Sequence, residues 1–275
     1  MLSVWKSISH PVIGMLHLPA LPGAPRGERS LDQIREAVLQ DADTLLAGGV
    51  NGLMLENFGD VPFFPRRVAA HTVAAMTAIG VAVRERFEAP LGINVLRNDG
   101  LSALAIAAAI GADFIRVNVL SGARVTDQGI IEGIAHDLLR ERRMLNAGHV
   151  LILTDVNVKH SAPLAARPIE EEVSDLVERA GADALIVTGA ATGTPAGLAD
   201  VTRVRKASQG MPILVGSGVS TANVEAFLPL ANGFIIGSEF KRDRQVHQPV
   251  DRHRVAELIG RIRQHDGGEA NARRT

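Results

Sequence analysis

Short, almost unbroken apolar runs recur along the chain, each followed by a stretch whose apolar residues return every three or four positions. Eight segments have this character: 12–18, 52–56, 91–96, 114–119, 150–156, 184–188, 212–216 and 233–237. Runs without polar alternation predict strands buried on both faces of a parallel sheet. The intervening stretches predict helices. Ser30-Leu31-Asp32-Gln33 reads as a capped start, Leu31, Ile34, Val38 and Leu45 form one face, and Gly48-Gly49 ends it. Pro168 opens another helix, with Glu170, Glu171 and Glu172 placed to favour the dipole and Gly181 as its stop. Residues 219–231 read as one further helix between the last two strands.

Strict alternation of strand and helix permits a doubly wound sheet or a closed barrel. Eight units with no break in composition predict an α/β fold, a single (β/α)8 TIM barrel over 1–263, with 264–275 as a flexible polar tail. Ala-Gly-Ala-Asp-Ala-Leu-Ile-Val (180–187) repeats the plan of Ile-Gly-Ala-Asp-Phe-Ile-Arg-Val (110–117), a helix-ending glycine followed by a strand. Two connections on the catalytic face stand out. One is the proline-rich loop 19–26. The other, 121–133, reads as a hairpin turning at Asp127-Gln128-Gly129. Ile130 and Ile131 on that hairpin predict burial across a second subunit, and hence a homo-oligomer, with packing back onto the same barrel as the alternative.

Composition narrows the partners. Of the 275 residues 46% are apolar, enough for a large core, and the formal net charge of −1 supplies no basic surface for nucleic acid or an anionic membrane. Aromatic residues are 3% with no tyrosine, which argues against base stacking. The absence of cysteine excludes disulfides, thiolate metal sites and a cysteine nucleophile. No apolar stretch approaches the roughly 18 residues of a membrane span, and the first residues lack a signal-peptide pattern, so a cytoplasmic protein is expected.

In this fold the reacting groups come from the C-terminal ends of strands. Those ends carry His17, Glu56, Asn94, Arg116, Asn118, Asp155, Asn157 and Thr188, with Arg97, Asn98 and Asp99 following the third strand and Lys159 and His160 the fifth. Glu56 and Asp155 are the acid–base candidates, His17 a third, and Lys159 a Schiff-base or anion-holding candidate. Asn94, Arg116, Asn118, Asn157, His160 and Thr188 are expected to bind substrate. A salt bridge from Arg116 to Glu56 or Asp155 is the structural alternative. Two glycine-rich turns, Gly216-Ser217-Gly218 and Gly237-Ser238, follow the seventh and eighth strands, where such barrels hold a phosphate on main-chain N–H groups. A divalent metal on His17, Glu56 and Asp155 is the alternative chemistry, although no His-x-His spacing supports it, and no cofactor is predicted.

Several strand-end segments resemble a known family: 13–23 (Ile-Gly-Met-Leu-His-Leu-Pro-Ala-Leu-Pro-Gly), 56–63 (Glu-Asn-Phe-Gly-Asp-Val-Pro-Phe), 92–99 (Gly-Ile-Asn-Val-Leu-Arg-Asn-Asp), 127–133 (Asp-Gln-Gly-Ile-Ile-Glu-Gly), 155–160 (Asp-Val-Asn-Val-Lys-His) and 237–241 (Gly-Ser-Glu-Phe-Lys). Over roughly 8–245 the chain is similar to the BtpA/SgcQ family. That resemblance implies a ribulose-phosphate-binding-like barrel, and its family name implies an assembly role in photosystem I biogenesis. The residues themselves point to an enzyme on a sugar phosphate or nucleotide-derived phosphate. Isomerase, epimerase or aldolase-type lyase chemistry is expected, with metal-assisted hydrolysis or a non-catalytic assembly factor as the rivals.

Overall fold

The computed structural model describes residues 2–189 and 193–272. Its strands and helices follow one another as β1 (Val12–His17), α1 (Leu31–Gly48), β2 (Gly52–Glu56), α2 (Ala70–Arg86), β3 (Leu91–Asn94), α3 (Gly100–Ile110), β4 (Phe114–Val117), β5 (Ala123–Thr126), β6 (Gly129–Glu132), α4 (Ala135–Met144), β7 (Leu151–Val156), β8 (Ser161–Pro163), α5 (Ile169–Glu178), β9 (Ala184–Val187), α6 (Leu198–Ala207), β10 (Ile213–Gly216), α7 (Val224–Phe227), β11 (Gly233–Ile236) and α8 (Arg252–Ala272). Eight strands close into a parallel barrel in the ring order β1-β11-β10-β9-β7-β4-β3-β2. These are the eight expected from the apolar runs.

Two apolar layers hold the barrel. Strand residues alternate between facing the barrel axis and facing the helices. Ile13, Met15, Met54, Phe114, Leu153, Ile186, Leu214 and Ile235 fill the inside. Trp5 packs against the start of β2, its ring edge-on to Phe114 at 5.5 Å and its Nε1 donating to the Asn51 carbonyl at 2.8 Å. Gly92 makes room for Phe114, because a Cβ there would lie 2.0 Å from the ring. The second layer joins the outward strand faces to residues such as Ile34, Val38 and Leu45 of α1. Ser30 and Gln33 form the capping box of α1, and Gly49 ends it with φ 101°.

Three features depart from the expected pattern. Residues 219–231 hold only the single turn α7. The Asn223 side chain accepts from the Ser220 N–H and donates to the Gly218 carbonyl, folding the segment into a tight turn, and Pro229 follows at once. The polar segment read as a tail from 264 continues α8 as helix to Ala272, and Asp266 meets His10 Nδ1 at 2.6 Å. The hairpin β5–β6 gains a third strand, β8, on the far edge of β5. Ile131 is 2% exposed and packs on Val119 and Val158, whereas Ile130 is 55% exposed. Adjacent strand residues point to opposite faces, so the two isoleucines cannot share one partner surface. No described helix is long and apolar enough to cross a membrane.

Candidate functional site

The inward period of each strand decides which polar residues meet. Continuing the inside positions by one step along every strand gives His17, Glu56, Asn94, Arg116, Asp155, Thr188, Gly216 and Gly237. Strand register sets His17, Glu56, Asn94 and Arg116 side by side in one row. The top layer of the barrel is therefore charged along one arc and bare along the other, where two glycines stand.

On the charged arc Arg116 and Asp155 form a buried two-point pair, Nε to Oδ2 at 2.9 Å and Nη2 to Oδ1 at 2.7 Å, each residue 4% exposed. Burial opposes the Arg116 charge, but the Asp155 carboxylate more than offsets this and holds the guanidinium above its usual range. Asn118 Nδ2 donates to Asp155 Oδ2 at 2.9 Å, and Asn94 Nδ2 donates to the Arg116 carbonyl at 3.1 Å and Asn118 Oδ1 at 3.3 Å. Asp155 is thus held by Arg116 and Asn118, the salt bridge that was the structural alternative for Arg116. Glu56, 2% exposed, keeps looser company: its Oε1 lies 3.7 Å from His17 Nε2. The metal triad of His17, Glu56 and Asp155 is not assembled. Among the described residues no three histidine, aspartate or glutamate side chains cluster as a metal needs.

His17 packs at a tilt against Phe58, with ring centres 4.7 Å apart and planes at 48°. Burial, reinforced by the positive charges of Lys241, Lys159 and Arg116, pushes its pKa well below the ordinary value. An unfolded histidine takes up its proton near pH 6.5, while this one stays neutral, so the unfolded chain binds more protons below that pH. Stability contributed by His17 is complete above about pH 6.5 and is lost as the pH falls below it. Thermal unfolding at pH 7.5 and 5.5 is expected to show a smaller acid loss in His17→Gln than in the wild type. An equal loss assigns the acid sensitivity elsewhere.

The bare arc opens onto main-chain groups. Gly193, Ser217, Gly218, Gly237 and Ser238 share one hollow with His17, Glu56, Arg116 and Lys159. The N–H groups of Gly218, Val219, Ser238 and Glu239 meet no acceptor among the described residues. Ser217 and Gly218 both take φ 63°, a costly conformation for a serine that persists where a site requires it. A Cβ on Gly218 would sit 2.3 Å from Pro195 N. His17 Nδ1 on the hollow's wall, and Asn94 Oδ1 and Thr188 Oγ1 in the same inward layer, are buried with no hydrogen-bond partner among the described residues. Burial pushes the Lys159 ammonium below its usual pKa, with Glu56 and Asp155 pulling the other way.

Two expected substrate contacts lie elsewhere. Asn157, exposed at φ 55°, accepts from Arg124 Nη2 and lines a separate hollow with Arg124 and Glu172. His160 is exposed on the same loop. Conversely Gly193 and the buried Lys241, which is paired with Asp41 and acts on His17, were not among the sequence candidates. Lys241 closes the Gly-Ser-Glu-Phe-Lys segment, but its partner lies 200 residues away.

The BtpA family model matches residues 8–264. The chain belongs to the BtpA family. It is 46% identical over 250 residues to the photosystem I biogenesis protein BtpA of Synechocystis, covering 91% of this chain and 87% of that one. It is 45% identical to an uncharacterized protein of Thermococcus kodakarensis, covering 90% and 94%. Among solved structures, this BtpA-family barrel resembles N-(5'-phosphoribosyl)anthranilate isomerase from Pyrococcus furiosus (TM-score 0.59, 11% identity, 93% and 99% covered). It also resembles KGPDC from Streptococcus mutans (TM-score 0.59, 13% identity, 94% and 99% covered). At such identities the likeness shows the fold alone.

Proposed function

We propose that the protein is an enzyme acting on a small phosphorylated substrate, a sugar phosphate or a nucleotide-derived phosphate, by proton transfer next to a carbonyl. The observation that carries this reading is the divided top layer: unmatched N–H groups behind Gly216 and Gly237 suit a phosphate, and Glu56, His17 and Lys159 stand across the same hollow. Glu56 is the base that removes the proton α to the carbonyl. Neutral His17 donates to and accepts from substrate oxygens, and Lys159 faces the negative charge that develops on the carbonyl oxygen. The sugar phosphate isomerase or epimerase reading follows. A lowered Lys159 pKa also favours the free amine that an aldolase-type lyase needs for a Schiff base. Borohydride trapping of a substrate adduct on Lys159 separates the two.

Calorimetric titration with inorganic phosphate and a panel of sugar phosphates tests the site. Ser238→Asp puts a negative charge into the cup and is expected to weaken phosphate binding by about 100-fold or more, without loss of fold. Unchanged affinity would remove the cup from the proposal. The Synechocystis relative's name favours an assembly factor instead, and a barrel kept only as a platform predicts no phosphate binding in the same titration.

A further inference from the structure

Arg97 follows β3, and its side chain reaches across the end of β4 to the loop after β7, where Nη2 donates to the Lys159 carbonyl at 2.5 Å. It is 4% exposed. Among the described residues no carboxylate comes within 4.0 Å of its guanidinium or of the Lys159 ammonium. Of the carboxyl groups around them, Asp155 holds Arg116 and Asn118, while Glu56 and, for Arg97, Asp127 act only from beyond ion-pair distance. Burial weakens both cations, lowering the pKa of Arg97 and of Lys159. A buried guanidinium with no carboxylate in contact is costly unless an anion arrives to meet it, and the half-buried Lys159 adds to the positive charge nearby.

The ring order says where that anion would lie. Four strands separate the β10–β11 boundary, which carries the cup, from the β3–β4 boundary in either direction, so Arg97 and the cup are diametrically opposed. We infer that the substrate carries two anionic groups: a phosphate in the cup, and a second acid, carboxylate or phosphate, held by Arg97 on the opposite side of the barrel mouth. The inference rests on the phosphate reading of the cup. Eight strands about 4.8 Å apart and tilted about 36° close into a ring about 15 Å across, which leaves roughly four to six chain atoms between the two acids. A fork-shaped guanidinium suits either acid, which presents two or three oxygens.

Calorimetry on the full chain with matched probes decides it. Ribitol 5-phosphate, 5-phosphoribonate and ribitol 1,5-bisphosphate differ only at the end away from the phosphate. Glycerol 3-phosphate with 3-phosphoglycerate gives a shorter pair. For the fitting length the doubly acidic probe is expected to bind about 10- to 100-fold more tightly than its alcohol partner, the range for hydrogen bonds to charged groups. The larger of the carboxylate and bisphosphate gains identifies the acid. Arg97→Met is expected to close the gap, leave inorganic phosphate and ribitol 5-phosphate affinities unchanged, and melt at or above the wild-type temperature because an unmatched charge is gone. Arg97→Lys should keep part of the gap. Equal binding of acid and alcohol partners at both lengths, with phosphate still bound, overturns the second subsite and leaves the cup standing. A lower melting temperature in Arg97→Met makes Arg97 structural and also overturns it. Failure of phosphate and every ester to bind overturns the cup, and this inference falls with it.

Discussion

Asp155→Asn is expected to lower the melting temperature by about 6–20 °C. Removing one partner of a buried ion pair costs about 3–5 kcal/mol, and each kcal/mol shifts a chain of this size by about 2–4 °C. The amide keeps the shape of the carboxylate, but it cannot accept both Arg116 bonds as a charge, and Arg116 remains buried in the barrel mouth. Pairing Asp155→Leu with Arg116→Met removes both charges and should recover most of the loss, since a buried pair replaced by apolar groups of similar volume is often neutral. A variant Asp155→Asn with unaltered melting and lost turnover would instead restore Asp155 as the reacting base.

Glu56→Gln is expected to behave in the opposite way. Turnover should fall by roughly 10²- to 10⁴-fold, the usual contribution of a positioned acid or base. Melting should move less than in Asp155→Asn, because no cation pairs directly with Glu56 and its nearest titratable partner is a neutral imidazole 3.7 Å away, with Lys159 and Arg116 attracting it only from longer range. Affinity for inorganic phosphate should also persist, since Glu56 lies outside the cup. Steady-state kinetics and calorimetry on one preparation separate the two readouts. Full turnover in Glu56→Gln would move the proton transfer to Lys159 or His17.

The barrel was legible because strands buried on both faces write themselves as unbroken apolar runs, and only eight such runs occur. The inward row was legible for the same reason: polar residues at His17, Glu56, Asn94, Arg116 and Asp155 interrupt those runs at their ends. What period cannot state is which neighbours touch. Arg116 and Asp155 lie on strands β4 and β7, separated in sequence by the hairpin and α4, so only the closed ring order reveals that they pair. Asn157 looks equivalent to Asn118 in sequence, yet its left-handed backbone turns it out to Arg124. The single turn α7 was hidden because the Asn223 side chain, not an apolar pattern, decides where the chain bends.

The division of the top layer into a bare and a charged arc has a stereochemical consequence. A substrate lying along the diameter from the β10–β11 cup shows Glu56 and His17 one of its two faces and Lys159 the other. With Asp155 bound to Arg116, the carboxyl group free to exchange protons stands on one side only. On the proposed isomerase reading, protons are therefore expected to leave and return suprafacially. In deuterium oxide the label is expected to enter a single prochiral position with chirality at the exchanged carbon retained, the isomerase outcome, whereas inversion there would be the epimerase outcome.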